Sequence, residues 1–370
     1  MRAETLARPC LRSVEPYLPG KPIAEVQREL GLKKVVKLAS NENPLGASPK
    51  ALAELRRALK ETSRYPEGAS PLLRRALAAE HEVAYGQVIV GNGSDEVIRL
   101  LCVAMLGPDD EVVCSRHGFI RFRQQAMLMG AGVVEVPMRG YTHDLAGMAR
   151  AVTPRTKLVF VASPNNPTGT YNTEAEVLGL LAALPPQVVL ILDEAYAQYA
   201  EASPGYPKSL PGLVRRHPNL IVLRTFSKAY GLAGLRVGYG VGDPGLVAWL
   251  DRIRMPFNVA LPSQRAALAA LGDAAFVRRS VAVNAKERTA LAGSLESAGL
   301  KTLSSAANFL FCAAPGTGRD LFQRLLRRGV IIRPLDEYGL PRHVRISVGS
   351  AAENRFLLGA LRAALAEAGA

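Results

Sequence analysis

The residues best suited to covalent chemistry lie in the stretch Thr225-Phe226-Ser227-Lys228, with Arg236 a short distance downstream. A lysine amine attacks carbonyl groups once burial or neighbouring cations remove its proton. Arg236 carries fixed N–H donors that could hold an anionic group together with the hydroxyls of Thr225 and Ser227. Apolar runs precede and follow the stretch, so the sequence predicts two strands with Lys228 between them at the sheet edge. A solvated loop lysine beside a hairpin is the alternative that this stretch alone leaves open.

Apolar runs alternate with helical patterns around Lys228, from residue 87 to residue 242. Several runs are apolar on both faces, which is typical of a mostly parallel sheet covered by helices on both sides. Ligands of such sheets bind at the carboxyl ends of the strands, so we expect the following loops to form the site. The sequence therefore predicts an α/β fold with a mostly parallel seven-stranded sheet, its strands at 88–90, 111–115, 133–136, 158–162, 188–192, 220–223 and 237–241.

The same patterns divide the chain into three predicted segments. Residues 1–35 form an N-terminal arm that packs with the small domain or a partner, residues 36–255 a large domain, and residues 256–370 a smaller C-terminal α/β domain. The last segment is predicted to contain one long helical stretch at 262–298, and then short strands that carry Arg333 and Arg345. From the sequence alone, each of these arginines either holds a substrate anion or forms a structural ion pair.

Length and composition favour a folded, enzyme-sized chain. The 370 residues, 48% of them hydrophobic and 21% charged, suffice for a large core and favour two domains over one. A net charge of +14 could indicate nucleic-acid binding, but the arginines are spread over the whole length. We therefore expect a basic surface with anion-binding pockets and no nucleic-acid partner.

The sequence also predicts where the protein works. Its apolar runs are too short to span a membrane, and the first ten residues lack an apolar signal core. The four cysteines show no metal-like spacing, and no metal site is predicted. Cys102, Cys114 and Cys312 lie in apolar runs and are predicted to be buried free thiols. These observations predict a cytoplasmic protein that has no membrane partner.

The loop at 91–96 follows the first strand of the sheet and precedes a helix. Gly93 allows close backbone approach, and the helix start at Ser94 and Asp95 offers free N–H groups to a phosphate. A plain N-cap after a tight turn would explain the same residues. The third glycine of a dinucleotide fingerprint is missing, so a dinucleotide is not predicted here.

Four further side chains lie at predicted strand ends. Phe119 could stack on a flat ring or pack in the core, and Asn166 presents an amide after a proline-rich turn. Asp193 ends a buried strand, where a carboxylate needs a cationic or N–H partner, and Tyr196 adds a phenol. The joint order of these groups and Lys228 predicts a pocket for a flat, phosphorylated aldehyde, namely pyridoxal 5′-phosphate.

Each group has a role in this interpretation. Lys228 bonds to the aldehyde, and Phe119 stacks on the ring. Asp193 pairs with the protonated ring nitrogen, and Asn166 and Tyr196 bond the ring hydroxyl. The phosphate is bound by residues of two loops, namely Gly93, Ser94, Thr225, Ser227 and Arg236.

Over nearly its full length the chain resembles the fold-type I pyridoxal-phosphate aminotransferases of class II, and it is most similar to the histidinol-phosphate aminotransferase family. Two of the matching segments read Ala-Ser-Asn-Glu-Asn-Pro-Leu-Gly at 39–46 and Ser-Lys at 227–228. The others lie at 16–20, 64–66, 91–96, 166–169, 193–196 and 345–349. The resemblance implies a transaminase that converts L-histidinol phosphate and 2-oxoglutarate into imidazole-acetol phosphate and L-glutamate, a step of histidine biosynthesis.

The resemblance also implies roles for individual residues. Lys228, Asp193 and Tyr196 are implied to be catalytic, and Asp95 joins the cofactor-binding set. Tyr65 is implied to reach the cofactor phosphate of the other subunit, so a homodimer is expected. The residues implied to face the substrate are Tyr17, Asn43, Arg333 and Arg345.

One loop departs from the family pattern and leaves the amino donor open. Phe122 stands where a tyrosine is common, and Arg116 and Arg121 are additional charges. An aromatic amino acid aminotransferase is therefore the main alternative, and a decarboxylase of O-phosphothreonine is a further one. A transcription regulator with an aminotransferase-like domain would need a DNA-binding module, for which we expect the short arm before Asn41 to be too small.

Overall fold

The computed structural model describes residues 6–16, 20–208 and 210–369. In order along the chain, the strands are β1 (Val36–Lys37), β2 (Val88–Asn92), β3 (Glu111–Ser115), β4 (Gly132–Val136), β5 (Thr156–Ala162), β6 (Val189–Asp193), β7 (Leu220–Thr225), β8 (Val237–Gly242), β9 (Phe309–Ala313), β10 (Val330–Ile331), β11 (Arg333–Leu335) and β12 (Leu340–Ser347).

Helices separate most of these strands, as the sequence predicts. The α-helices are α1 (Ile23–Leu30), α2 (Pro49–Ala58), α3 (Pro71–Glu80), α4 (Ser94–Met105), α5 (Ile120–Met129), α6 (Leu145–Arg150), α7 (Glu174–Ala183), α8 (Ala197–Ala200), α9 (Leu210–Arg216), α10 (Pro244–Ile253), α11 (Leu261–Leu271), α12 (Ala274–Ser297), α13 (Gly318–Leu326) and α14 (Ala351–Gly369). Short 3₁₀ helices occur at Pro9–Ser13, Leu59–Glu61, Tyr85–Gln87, Ala233–Leu235 and Asp336–Tyr338.

The large sheet has seven strands in the order β2-β8-β7-β6-β5-β3-β4. Its strands pair in parallel except β8, which runs antiparallel to both β2 and β7. The predicted mostly parallel seven-stranded sheet is therefore confirmed.

Both faces of this sheet are buried. Along β6, Leu190 and Leu192 contribute to the core on one face and Ile191 to the core on the other, because successive side chains of a strand point to opposite faces. Helices α4 and α10 cover the second face, where Leu101 and Leu250 are fully buried. Each such apolar side chain stabilises the fold by roughly 1.5–3 kcal/mol. This two-sided packing fixes the carboxyl ends of the parallel strands at one rigid edge.

The C-terminal part forms a smaller sheet in the order β11-β12-β9, which is antiparallel. The short β1 pairs in parallel with β10, and the Ser347 amide donates to the Leu38 carbonyl at 2.8 Å. Val36 and Leu38 accordingly belong to the core of the C-terminal part. The segment that begins at Val36 is thus attached to the smaller sheet, and the domain boundaries at 36 and 256 stay a prediction.

The long helical stretch predicted at 262–298 is wrong in one respect, because the structure divides it into α11 and α12. Gly272 ends the first helix and Asp273 precedes the second. The Asp273 carboxylate accepts a hydrogen bond from the Ser48 hydroxyl at 2.6 Å, which ties the break to the start of α2. The alanine-rich pattern continues across both helices and gives no sign of this tertiary contact.

Two simpler expectations can be compared with the described part of the chain. Cys102, Cys114 and Cys312 are buried free thiols, as predicted. None of the helices in the described ranges combines the length and apolar character needed to cross a membrane.

Candidate active site

A cavity of about 570 Å³ opens at the carboxyl ends of the parallel strands. Most of the residues singled out in the sequence line it, although they come from loops that are far apart along the chain. The predicted residues found in its wall are Ser94, Asp95, Phe119, Asn166, Asp193, Tyr196, Thr225, Ser227, Lys228, Arg236, Arg333 and Arg345.

Lys228 lies in the loop after β7, with its amine inside the cavity. The Nζ atom donates to the Ser40 carbonyl at 3.2 Å and lies 5.6 Å from the centre of the Tyr196 ring. Burial, aided by the nearby Arg345 and Arg236, lowers the pKa of Lys228 to about 8. A substantial fraction of this amine is therefore neutral, and hence nucleophilic, near physiological pH.

Asp193 is the last residue of β6, and its side chain is buried at the base of the cavity. Its Oδ1 accepts a hydrogen bond from the Ala195 amide at 3.1 Å, which is one of the two kinds of partner expected. Its Oδ2 has no hydrogen-bond partner among the described residues. Burial raises the pKa of Asp193 to about 7 because no protein cation forms an ion pair with it in the described ranges.

The neighbouring carboxylate, Glu194, shows what a buried acid usually requires. Arg224 donates its Nε and Nη2 protons to Glu194 Oε2 at 2.9 and 2.8 Å, and both side chains are largely buried. Burial raises the pKa of Glu194, and the charge of Arg224 opposes that rise. Asp193 lacks such a partner although it is the adjacent residue, so the cavity leaves an acceptor open for a cationic or N–H group.

One end of the cavity is built to receive an anion. Helix α4 begins there at Ser94, so its free backbone N–H groups and positive dipole end face the space. Gly93 precedes it with a φ of 75°, and its amide donates to the Arg236 carbonyl at 3.0 Å. A Cβ atom at this position would lie 2.5 Å from Arg236 Nη2, so only glycine lets the arginine approach this closely.

Two hydroxyls and a cation complete this end. The hydroxyls of Thr225 and Ser227 bond each other at 3.1 Å, and Arg236 Nη1 lies 3.4 Å from Ser227 Oγ. In the described part of the chain, no carboxylate forms an ion pair with Arg236. An unneutralised guanidinium beside two hydroxyls and a helix start matches the chemistry of a phosphate.

Asp95 lines the same end, but its carboxylate already accepts hydrogen bonds from a protein side chain. Its two carboxylate oxygens accept from Arg121 Nε at 2.8 Å and from Arg121 Nη2 at 3.1 Å. Arg121 also donates to Gln124 Oε1 at 2.9 Å. The additional charge noted at Arg121 in the sequence is therefore balanced within the cavity wall.

Three residues surround the space between the anion end and Lys228. Phe119 precedes α5 and meets Phe122 edge to face, with 5.5 Å between ring centres. The Asn166 side-chain oxygen accepts a hydrogen bond from Arg345 Nη1. Tyr196 accepts from Asn41 Nδ2 at 2.9 Å. A flat ring placed here would meet one aromatic face and two hydrogen-bonding groups.

The opposite end of the cavity contains the arginines of the smaller sheet. Arg345, on β12, is buried and donates through Nη2 to the Ala39 carbonyl at 2.5 Å, while its Nε has no partner among the described residues. Arg333, on β11, donates through Nε to Glu337 Oε1 at 3.1 Å. Both arginines line the cavity and Arg333 forms an ion pair, whereas the binding of a substrate anion by either of them stays a prediction.

The chain is similar to proteins of known family along most of its length. The sequence model of the family Aminotransferase class I and II matches residues 33–361. The chain belongs to this family. The histidinol-phosphate aminotransferase of Moorella thermoacetica is 47% identical to this chain over 359 residues, which cover 97% of this chain and 93% of the relative. That of an Anaeromyxobacter species is 48% identical over 358 residues, 96% of this chain and 98% of the relative.

A solved structure shows the same architecture. The histidinol-phosphate aminotransferase of Sinorhizobium meliloti, crystallised in complex with pyridoxal-5′-phosphate, superposes with a TM-score of 0.89. It is 30% identical to this chain, and 97% of each chain is covered. The resemblance to fold-type I aminotransferases predicted from the sequence is confirmed, as is the predicted class of enzyme, a pyridoxal-phosphate-dependent transaminase.

The cavity of this aminotransferase fits pyridoxal phosphate on its own chemistry. The unpaired Oδ2 of Asp193 suits a protonated ring nitrogen, and the cradle at Gly93 and Arg236 suits the phosphate. The lowered pKa of Lys228 suits an amine that must react with an aldehyde. The family, the solved relative and these unsatisfied groups agree on the cofactor.

Not every predicted residue lies at the cavity of this aminotransferase. Asn43 is absent from the cavity wall, because its amide donates to the Ala229 carbonyl at 3.0 Å and to the Ser280 hydroxyl at 2.9 Å. The side chain of Tyr65 is 83% exposed and stacks on Phe257 at 4.7 Å, away from this chain's own cavity. Tyr17 lies outside the described residues.

The segment Ser40 to Glu42 belongs to the family match at 39–46, but no site role was predicted for it, although it lines the cavity beside Lys228. Asn41 anchors it: its amide donates to Ser347 Oγ at 2.8 Å, and its carbonyl accepts from Asn308 Nδ2 at 3.0 Å. Asn41 has a φ of 56°, a conformation in which asparagine is enriched. That turn chemistry after an apolar run was the signal that could have identified the segment.

Proposed function

We propose that this aminotransferase transfers an amino group between L-histidinol phosphate and 2-oxoglutarate, forming imidazole-acetol phosphate and L-glutamate in histidine biosynthesis. The observation that supports this most is that the cavity around Lys228 has two cationic ends, one built from the large sheet and one from the smaller sheet. One end, at Ser94 and Arg236, suits the cofactor phosphate, and the other, at Arg333 and Arg345, suits an anionic substrate. The relatives named for this reaction share 47% and 48% identity with the chain.

When bound, pyridoxal phosphate supplies an aldehyde that takes up the amino group and a ring that withdraws electrons from the bond being broken. Asp193 would hold the ring nitrogen in its protonated form, and Asn166 and Tyr196 would bond the ring hydroxyl. The Tyr196 phenol is held in the cavity wall by the hydrogen bond that it accepts from Asn41 Nδ2.

Lys228 would act as the base that moves a proton. Its Nζ donates to the Ser40 carbonyl at 3.2 Å, and its pKa lies near 8, so it can accept a proton at neutral pH and give it back. It would take the proton from the substrate carbon that carries the amino group. Burial and the charges of Arg345 and Arg236 keep this pKa below that of an ordinary lysine.

The substrate end would serve two molecules in turn. The phosphate of L-histidinol phosphate and a carboxylate of 2-oxoglutarate are both anions, and Arg345 Nε is a buried donor without a partner among the described residues. A single cationic end can therefore accept the donor and, after it leaves, the acceptor. Steady-state rates should then show the parallel-line pattern of a ping-pong cycle.

The experiment that tests this function compares amino donors with 2-oxoglutarate as acceptor. L-Histidinol phosphate should give a kcat/KM at least about tenfold above that of phenylalanine, because only the former presents a phosphate to Arg345 and Arg333. A higher value for phenylalanine would establish the aromatic aminotransferase instead. Carbon dioxide released from O-phosphothreonine without any need for a keto acid would establish the decarboxylase.

Two further expectations belong to the proposal. A homodimer, with Tyr65 reaching the cofactor phosphate of the other subunit, would account for a tyrosine that is 83% exposed beside the half-exposed Phe257. Light scattering of the purified protein should give twice the 39.6 kDa chain mass, and Tyr65→Phe should weaken cofactor binding. The buried free thiols suit a reducing compartment, so cell fractionation should place the protein in the cytoplasm.

A further inference from the structure

Three carboxylates line the cavity in the described part of the chain, and one of them differs from the other two. Asp193 lies buried at the base, where the cofactor ring nitrogen would meet it, and both oxygens of Asp95 accept N–H groups of the Arg121 guanidinium. The side chain of Glu42 is 48% exposed. Its Oε1 accepts from Lys37 Nζ at 3.2 Å, and its Oε2 has no hydrogen bond among the described residues. Glu42 is thus the cavity carboxylate with an acceptor available to an incoming molecule.

The backbone that carries Glu42 is fixed beside the reacting amine. The carbonyl of Ala39 accepts from Arg345, and the carbonyl of Ser40 accepts from Lys228. Asn41 is bonded through its side chain to Tyr196. These bonds hold the segment in one position, so the Glu42 side chain projects from a preorganised wall rather than from a loose loop.

The charge of Glu42 also affects the pKa of Lys228. It is one of the groups that act on the pKa of Lys228, which it raises against the larger lowering effects of burial and Arg345. The carboxylate and the amine therefore interact electrostatically within the same cavity wall. The other fixed charges at this end, Arg333 and Arg345, are cations that suit only the anionic part of a substrate.

A carboxylate acceptor in such a place requires a donor on the substrate. The amino group is common to all amino donors and is engaged at the cofactor beside Lys228, and neither the phosphate of L-histidinol phosphate nor the carboxylates of 2-oxoglutarate can donate to Glu42 when ionised. The imidazole ring can, since it carries an N–H group when neutral and two when protonated. An unsubstituted phenyl ring has no such donor.

On the basis of the proposed function, we propose that Glu42 is a specificity-determining residue, which accepts a hydrogen bond from the imidazole N–H of L-histidinol phosphate. The two ends of that substrate are then recognised by opposite charges, the phosphate by Arg345 and Arg333 and the ring by Glu42. A donor with a phenyl ring leaves Glu42 without a partner, and this is how the site discriminates against it.

The test uses the cofactor-loaded enzyme and the variants E42Q and E42A. Single-turnover reactions are followed with L-histidinol phosphate, phenylalanine and L-glutamate as separate amino donors. With L-histidinol phosphate we expect kcat/KM to fall about tenfold in E42Q and roughly 10- to 100-fold in E42A, mainly through weaker binding. The values for phenylalanine and glutamate should stay within about twofold of the wild type.

The matched control is K37M, which removes the ion pair but leaves the Glu42 carboxylate in place. This variant should retain wild-type kcat/KM with all three donors. If K37M reproduces the loss seen in E42Q, the ion pair and not ring recognition explains the effect, and the inference is overturned. The thermal midpoint and the cofactor content of each variant confirm that the comparison concerns folded, loaded enzyme.

Two other outcomes would contradict the inference in distinguishable ways. An equal loss in E42Q for all three donors would mean that Glu42 acts on Lys228 and not on the donor ring. If the wild type itself turns over phenylalanine but not L-histidinol phosphate, the proposed function fails first, and the role of Glu42 fails with it.

Discussion

The two ends of the cavity are built from different parts of the chain. At the cofactor end, Asp193, Thr225 and Ser94 come from the ends of β6 and β7 and from the start of α4, all on the large sheet. At the substrate end, Arg333 and Arg345 are carried by β11 and β12 of the smaller sheet. Lys228 lies between the two ends.

The two ends also differ in how far their polar groups are satisfied. At the cofactor end, Asp193 Oδ2 lacks a hydrogen bond within the described residues, and Arg236 lacks a carboxylate. At the substrate end, both Nη atoms of Arg345 donate, to Asn166 and Ala39, and Arg333 pairs with Glu337, which leaves Arg345 Nε as the unsatisfied atom of these two guanidiniums within the described residues. Polar side chains that bind a permanently bound cofactor need no protein partner, because the cofactor supplies it. Side chains that bind exchanging substrates need protein hydrogen-bond partners whenever the substrate is absent.

The largest loss of activity is expected at Lys228, which belongs to neither end of the cavity. Lys228→Ala should lower kcat by about 10⁴-fold or more, because it removes both the covalent attachment and the base. The visible absorbance band of the purified holoenzyme should also disappear. Lys228→Arg is the matched control, since it keeps the charge but not the nucleophile, and it should be equally inactive. Turnover above about a tenth of the wild-type rate in either variant would contradict the assignment.

A smaller effect is expected at the cofactor end. Asp193→Asn keeps the size of the side chain but removes the charge that would hold the ring nitrogen protonated. We expect kcat to fall roughly 10²- to 10³-fold, with KM for the amino donor little changed. Stopped-flow measurement of the half-reaction gives both values. If kcat stays within twofold of the wild type, the unpaired carboxylate is not the partner of the ring.

At the substrate end, the effect should move from kcat to KM. Arg345→Lys keeps the charge but loses the planar fork, so KM for L-histidinol phosphate should rise about tenfold or more. Cofactor affinity should change less than twofold. Arg342→Lys, at an exposed position on the same strand, is the control and should leave both values unchanged. Loss of cofactor without a change in KM would remove the distinction between the two ends.

The smallest effect concerns the stability of the cofactor-free protein. Burial raises the pKa of Asp193 from its ordinary value of 3.8 to about 7, so between these values the folded state binds more protons than the unfolded state. Stability from this group is therefore lost as pH rises from about 4 to about 7. Asp193→Asn should abolish that trend, raising the melting temperature relative to wild type by about 2–4 °C more at pH 8 than at pH 5. An equal difference in melting temperature between variant and wild type at pH 5 and at pH 8 would contradict this role of Asp193.

The cofactor end was largely predictable from the sequence. Its residues follow buried apolar strands, and parallel strands bring their carboxyl ends to one edge whatever their distance along the chain. Thus Asp193, Asn166 and Lys228 were expected together, and all three line the cavity. The unpaired state of Asp193 could not be predicted, because the sequence does not show that Arg224 is used by Glu194.

The substrate end was less predictable because it depends on tertiary contacts between distant segments. Asn43 was expected at the site, but its amide is bonded to Ala229 and Ser280, and Asn41 lines the cavity instead. A two-residue shift within one turn decides which asparagine faces inward. The break between α11 and α12 had a local signal, because Gly272 and Asp273 are typical helix stop and start residues, but the contact of Asp273 with Ser48 had none.

The pairing of β1 with β10 has a mechanical consequence. Because Leu38 is bonded to Ser347, the segment that bears Ser40 to Glu42 is attached to the C-terminal sheet, and its links to the large domain include the side-chain bonds to Lys228 and Tyr196. If the smaller sheet rotates over the larger one, these two bonds must break, and Arg345 and Glu42 move together relative to Lys228. The hinge for this closing movement would then lie where the chain crosses back to the large sheet, in the turn between Asn43 and Ser48.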